Sequence, residues 1–172
     1  MASLMENLIV ILDETYEAYE QLLALSLKKT PVIVSENLEE LARITDEEQL
    51  VVSRINSLDK KRDEVMKDMA VVLNKDVANF KLKKLIQMMA KRPEEQRALA
   101  ESYDKLERTA KQVARVNEQN RELIQSALEM VQFNMNILHS AQSAPESANY
   151  NKGAYSAGAA LGTDRQTFDA KQ

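Results

Sequence analysis

The sequence of 172 residues lacks cysteine and tryptophan and contains only three glycines, three prolines and 5% aromatic residues. The absence of cysteine excludes disulfide bonds and thiolate metal ligands, and it suits a reducing compartment. All the glycines, Gly153, Gly158 and Gly162, lie near the C-terminus. Because Gly costs a helix interior about 1 kcal/mol relative to Ala, the glycine-free stretch 1–152 favours long helices.

Charge and hydropathy exclude several classes of function. The net charge of -4 argues against nucleic acid as a partner, because phosphate binding requires clustered Lys and Arg. No uncharged apolar run approaches the roughly 20 residues of a membrane span, so we expect no stable membrane insertion. The N-terminus has no basic residue before its short apolar run and carries Glu6 early, which is unlike a signal peptide. We therefore expect a cytoplasmic protein.

The periodicity of apolar residues predicts an all-α fold. We expect an elongated antiparallel helical hairpin or bundle, with three long helices plus one short helix and a flexible C-terminal tail. The first helix is predicted to open with a capping box of Ser3 and Glu6. It should end near Lys28 and Lys29, with the segment from Pro31 to Val34 as a linker.

The second helix is predicted from Ser35, as its N-cap, to about Leu73. Its expected seam consists of Leu41, Ile44, Glu48, Val51, Ile55, Leu58, Arg62, Val65, Met69 and Val72. A short basic segment follows, with Phe80, Leu85, Ile86 and Met89 as its buried side. Met66, Met69, Met88 and Met89 are interpreted as core residues, although methionines also form surfaces that accommodate varied partners.

The last helix is predicted from Pro93, which suits a first turn, to about Ala141. Its seam is Leu99, Leu106, Ala110, Val113, Asn117, Asn120, Ile124, Ala127, Val131, Asn134 and Leu138. The asparagines have two interpretations, which are not exclusive. Buried amides can fix the register of packed helices. Alternatively, the weaker seam around Ala127 and Asn134 allows this part of the helix to exchange partners.

The composition changes after Ala141. Residues 142–172 contain all the glycines and almost no large aliphatic residues, so they cannot bury enough apolar surface to offset the entropy of ordering. We therefore predict a helical domain at 1–141 and a flexible tail at 142–172. Tyr150 and Tyr155 in this tail are either incidental or anchors of a short docking motif.

Residues suited to catalysis or metal binding are few. The only histidine, His139, lies near the predicted end of the last helix, and no Glu-x-x-His motif or phosphate-binding glycine loop is present. A phosphotransfer domain would place its histidine in mid-helix, and a carboxylate-bridged metal site needs several convergent ligands. We expect no enzymatic activity, no cofactor and no metal site.

The chain resembles the FlgN-type flagellar export chaperones over nearly its whole length, in the order of its helices and motifs. The resemblance rests on the leucine-rich first helix, the segment NLEELARITDEEQLVVSRINSLDKKR, and VNEQNRELI with Asn117, Asn120, Leu123 and Ile124. The family pattern has Asn-x-x-Asn-x-x-Leu-Leu at this point, so Ile124 is a conservative departure. The family also carries a tyrosine close to a glycine in its tail, matched best by Tyr150 and second by Tyr155.

The resemblance implies a cytosolic, substrate-specific chaperone of the flagellar type III export system. Such proteins bind C-terminal segments of the hook-filament junction (hook-associated) proteins and deliver them to the cytoplasmic domain of the export gate. Carried onto this chain, Tyr150 and Tyr155 would dock at the gate. The residues expected to bind cargo, in a helix-in-groove mode, are Asn120, Leu123, Ile124, Leu128, Met130, Val131, Asn134, Ile137 and Leu138.

Two alternatives remain open at this point. A structural coiled-coil protein would have the same apolar stripes, and a chaperone for another secretion substrate would share the same physical features. A homodimer is also possible.

Overall fold

The computed structural model describes residues 2–143. This part of the chain forms four α-helices: α1 (Ala2–Val34), α2 (Leu38–Val72), α3 (Leu82–Met88) and α4 (Pro93–Ser143). Single 3-10 turns, Val77–Asn79 and Met89–Lys91, flank α3, and none of residues 2–143 lies in a strand. The predicted all-α class, with three long helices and one short helix, is confirmed. The predicted tail lies almost entirely outside the described residues, and the boundary at residue 141 stays a prediction.

The predicted ends of the first helix are wrong. α1 begins at Ala2, so Ser3 lies inside the helix and is not its N-cap. At its other end α1 continues through Pro31 to Val34. A proline inside a helix lacks the N–H for one main-chain hydrogen bond, and its ring crowds the carbonyl group four residues earlier. Ile33, just beyond Pro31, is 6% exposed. Burial of Ile33 offsets part of the free-energy cost of the proline, and the helix therefore continues past Pro31.

The N-cap of the second helix is Asn37 and not Ser35. The Asn37 Oδ1 atom accepts a hydrogen bond from the Glu40 N–H at 3.1 Å, which satisfies one of the free N–H groups of the first turn. The Ser35 hydroxyl instead donates to the carbonyl oxygen of Val32 at 3.1 Å. Ser35 therefore bonds to the C-terminal end of α1 and is not the N-cap of α2.

The first of two compact units, Met1–Ala127, contains the hydrophobic core. Helix α1 runs antiparallel to α2 and in the same direction as α4, because its N-terminal half packs on the end of α2 and the start of α4. One core cluster surrounds the beginning of α1 and contains Met5, Leu8, Ile11, Leu12, Val65, Met66, Met69, Ala70, Phe80, Leu85, Leu99 and Leu106. A smaller cluster contains Ala18, Leu22, Ile55, Leu58 and Val113.

The buried side of the connection between α2 and α4 is as predicted. Phe80 and Leu85 are buried, and Ile86 and Met89 are half-buried against the first cluster. The methionines divide between two environments: Met66 and Met69 are core residues, whereas Met88 is 40% exposed. The prediction of Val72 for the α2 seam is wrong: it is exposed, because Met69, Ala70 and Leu73 form the packed side of this last turn and Val72 lies to the side of them.

Candidate protein-binding surface

A layer of buried polar groups joins the three long helices near the end of α1. Ser26 is fully buried, and its hydroxyl donates to the Glu48 carboxylate of α2 at 3.2 Å. The Lys29 ammonium pairs with the same carboxylate. The carbonyl oxygen of Ser26 accepts a hydrogen bond from Asn120 Nδ2 of α4 at 2.8 Å. Ser26 is therefore bonded to both neighbouring helices at one level of the unit.

Asn120 uses both ends of its amide in this layer. Its Oδ1 atom accepts a hydrogen bond from the Thr30 hydroxyl at 2.7 Å, and its side chain is 3% exposed. A buried amide with donor and acceptor both satisfied fixes one register of two helices, because a shift of one residue would leave the groups unpaired. Asn117, one turn earlier, is exposed. The interpretation that a buried amide fixes the register of packed helices therefore applies to Asn120 and not to Asn117.

The apolar side chains of residues 128–138 of α4 are exposed to solvent. Seven of these large apolar residues have exposed fractions between 49% and 63%: Leu128, Met130, Val131, Phe133, Met135, Ile137 and Leu138. Every residue from 128 to 142 is in the exposed class. Contiguous exposed apolar surface of this kind marks a site of interaction with another macromolecule.

These side chains cover one broad side of α4. At about 100° per residue, the seven span an arc of about 220° from Phe133 through Ile137 to Leu128. The remaining arc carries polar residues: Glu129, Gln132, Asn136, His139 and Ser140. Asn134 lies within the apolar arc and is itself exposed. An amphipathic helix with so wide an apolar side is suited to contact more than one packed helix.

The residues predicted to bind cargo fall into three environments. Asn120 is buried, and Leu123 and Ile124 are half-buried in the first unit. Ile124 lines a cleft of about 280 Å³ beside Lys29, Glu48 and Asn120. The other predicted residues, Leu128, Met130, Val131, Asn134, Ile137 and Leu138, are all exposed on the second part of α4. Tyr150 and Tyr155 lie outside the described residues.

Phe133 and Met135 were missed by the sequence prediction. Both are exposed, at 63% and 53%, and both belong to the apolar arc. They lie off the heptad seam, as do Leu128, Met130 and Ile137, which the prediction did include, so the seam does not explain the omission. A count of all large apolar residues between Leu128 and Leu138 would have included both of them.

The described residues offer little for other kinds of site. Among residues 2–143 there is no group of three or more His, Asp or Glu side chains placed to hold a metal ion. His139 is an exposed residue near the end of α4. None of the helices in this range is long and apolar enough to cross a bilayer.

The all-α fold and the exposed apolar side of α4 are features of a helical protein with a candidate surface for binding other polypeptides. A family model described as FlgN protein matches residues 1–157, and the chain belongs to this family. It is accordingly a flagellar export chaperone. The resemblance seen in the sequence is confirmed by this match. Neither the curated proteins nor the solved structures gave a match to the chain.

Proposed function

We propose that the chain binds the C-terminal segments of hook-filament junction (hook-associated) proteins in the cytoplasm and delivers them to the cytoplasmic domain of the flagellar export gate. The family supports the general role of an export chaperone. The single observation that supports a binding surface is the exposure of the seven apolar side chains of residues 128–138.

The cargo-contacting residues of this proposal are the exposed ones. Leu128, Met130, Val131, Ile137 and Leu138 supply apolar area, together with Phe133 and Met135. Burial of one such side chain stabilises a complex by about 1.5–3 kcal/mol before the costs of association. A cargo segment that folds as an amphipathic helix would bury several of them at once.

The half-buried residues have a different part in the proposal. Leu123 and Ile124 have part of their surface free and would supply further apolar contact to cargo. Asn120 is committed to Ser26 and Thr30, so its role in binding is to hold α4 in place. Exposed Asn134 would interrupt the apolar arc, which weakens self-association and eases release of cargo.

The remaining residues form the delivery part of the proposal. Residues 1–141 would act as the chaperone domain and residues 142–172 as a tail, with Tyr150 as the first gate-docking residue and Tyr155 as the second. This assignment rests on the family resemblance and on the position of each tyrosine close to a glycine, in YNKG and YSAG respectively.

Titration calorimetry of the full chain tests the proposal. The titrants are the C-terminal segment of a hook-filament junction protein from the same organism and, as the control, the C-terminal segment of its flagellin. We expect saturable binding of the junction protein alone. Binding of neither would favour a structural coiled-coil protein, and binding of flagellin alone would favour a chaperone for another export substrate.

A further inference from the structure

The connection between α2 and α4 contains a cleft that the proposed function does not use. The cleft has a volume of about 150 Å³ and lies in the first unit. Its walls are the side chains of Met5, Met69, Leu73, Leu85, Met88 and Met89. An apolar cavity of about this volume accommodates a benzene ring, so the cleft has room for one phenylalanine or leucine side chain.

The walls of the cleft are adaptable as well as apolar. Methionine is unbranched and polarizable, and it packs against side chains of different shape. Met69 is fully buried, whereas Met88 is 40% exposed. The cleft therefore has a buried inner wall and a solvent-exposed outer edge.

The charged residues of the lining leave one unpaired positive charge at the cleft. Lys91, Arg92 and Glu95 complete the lining. Arg92 pairs with Glu95 at 3.2 Å, and Lys91 is exposed with no ion pair to any described residue. The segment 75–92 as a whole holds six basic residues and one acidic residue, in a chain of net charge -4. The single acidic residue, Asp76, accepts hydrogen bonds from Ala78 and Asn79.

We propose that this methionine-lined cleft binds an acidic segment of a partner protein, with one aromatic or large aliphatic side chain of that segment inserted between Met88 and Met89 and its carboxylates beside Lys91. The apolar walls require an apolar anchor, and the basic rim requires flanking negative charge. Together these features favour a polypeptide over a bilayer, which needs a broad apolar face and not a cleft, and the net charge of -4 disfavours a nucleic acid.

The methionine methyl groups allow a direct test. The chain contains eight methionines, of which Met5, Met69, Met88 and Met89 line the cleft, while Met130 and Met135 belong to the apolar arc of α4. The full chain is labelled with ¹³C at the methionine methyl groups. The probe is a synthetic peptide with one central phenylalanine and four glutamates on each side, and the control peptide has alanine in place of the phenylalanine.

We expect the phenylalanine peptide to shift the methyl signals of Met88 and Met89 saturably and to leave those of Met130 and Met135 unchanged. The alanine peptide and the Lys91→Glu variant should each weaken binding by about tenfold or more. Lys75→Glu is the matched control, since Lys75 belongs to the same basic segment but does not line the cleft, and it should retain most of the affinity.

Four outcomes would overturn the proposal. Equal shifts with both peptides would mean that charge alone attracts them. Shifts at Met130 and Met135 instead would assign the peptide to the surface on α4. Shifts produced by anionic phosphatidylglycerol vesicles and not by the peptide would indicate a lipid surface. Shifts that depend on protein concentration without any peptide would indicate a second copy of the chain. Because cargo is expected to shift Met130 and Met135, failure here is distinct from failure of the proposed function.

Discussion

The side chain of Asn120 in α4 donates a hydrogen bond from Nδ2 to the main-chain carbonyl oxygen of Ser26 in α1 at 2.8 Å, across 94 residues of sequence. Ser26 is fully buried and Asn120 almost so. The same serine donates its hydroxyl proton to Glu48 of α2. One residue of α1 thus sets the level at which both neighbouring helices pack.

Replacement of Asn120 should destabilise the first unit. In Asn120→Ala the carbonyl oxygen of Ser26 keeps its bond within helix α1 but loses the Asn120 donor, and the Thr30 hydroxyl loses its acceptor. Each lost hydrogen bond should cost about 0.5–1.5 kcal/mol of the free energy of unfolding. The Thr30 hydroxyl can turn to the Ser26 carbonyl oxygen, 3.4 Å away, and this limits the loss. Urea unfolding followed by far-UV circular dichroism measures it. Asn117→Ala, at an exposed position one turn earlier, should change stability by no more than about 0.5 kcal/mol; equal losses in both variants would contradict a specific role for Asn120.

Polar substitutions on the exposed arc should weaken cargo binding without unfolding the protein. Val131→Gln combined with Leu138→Gln removes two apolar side chains that are 53% and 62% exposed. We expect the affinity for the junction-protein segment to fall by about tenfold or more in titration calorimetry, because each buried aliphatic side chain contributes more than 1 kcal/mol.

The control for this pair is Leu50→Gln, which alters a leucine of α2 that is 74% exposed. It should retain full affinity and helicity. A double variant that binds as tightly as the unmodified chain would remove the arc from the proposed site. Substitution of Leu123 and Ile124 is a less clean test, since both side chains are half-buried and their loss mixes packing with binding.

The two tyrosines of residues 142–172 should act at the gate and not on cargo. Tyr150→Ala is expected to lower affinity for the purified cytoplasmic domain of the export gate and to leave cargo affinity unchanged. Tyr155→Ala should have the smaller effect. Surface plasmon resonance with the cargo-loaded chaperone as analyte measures both variants, and unchanged gate affinity in Tyr150→Ala would exclude this tyrosine from docking.

Removal of the proline inside α1 should stabilise the protein. In Pro31→Ala a main-chain N–H is restored within a helix that already continues to Val34, and the ring no longer crowds the preceding turn. The gain expected is about 1 kcal/mol or more in the free energy of unfolding. A loss of stability in urea or thermal unfolding would show that the helix depends on the restricted backbone of proline at this site.

An ion pair between α3 and α4 should shift two pKa values in opposite directions. Lys83 Nζ donates to the Glu107 carboxylate at 3.3 Å; this hydrogen bond lowers the pKa of Glu107 from 4.5, and Lys111 adds to the effect. The same bond raises the pKa of Lys83 from 10.5, with a further contribution from Tyr103. Carboxyl NMR titration should therefore find the Glu107 pKa below its ordinary value, and Lys83→Met should return most of the shift.

The sign of the pH dependence follows from these directions. The contribution of Glu107 to stability is present above about pH 4.5 and is lost as the pH falls through its lowered pKa. The contribution of Lys83 is present below about pH 10.5 and is lost as the pH rises through its raised pKa. The Lys83 side chain is 65% exposed and that of Glu107 is 35% exposed, so solvent screens the pair and the effect on unfolding should be small. A Glu107 pKa that does not respond to Lys83→Met would mean that the ion pair does not persist in solution.

Periodicity predicted the helices well because packed faces repeat every three or four residues. Leu99, Leu106 and Val113 in the α4 seam are all buried as expected. Ends of helices were predicted less well, since they depend on local competition. Ser35 and Asn37 are both good N-cap residues by type, and the sequence does not reveal that Ser35 is already bonded to Val32 at the end of α1.

The site was predicted in part for a similar reason. A pattern shows that Asn120 occupies a packed face, but only the fold shows that Ser26 and Thr30 are its partners. Phe133 and Met135 were overlooked although they belong to the same apolar arc, which is wider than the seam and is not described by any single heptad position. The spacing of apolar residues shows that α4 has an apolar side, but only the fold shows that this side is exposed between residues 128 and 138.

The continuity of α4 past Ala127 has a kinetic consequence. Residues 128–143 by themselves would have to form a helix in water from their own nucleus, which is an unfavourable step. As an extension of a helix that is already formed, they need only elongation, at about a nanosecond per residue. Their amide hydrogens should therefore exchange with solvent through end-fraying, much faster than those near Asn120, and occupancy of the apolar arc should be readable as slowed exchange in this stretch alone.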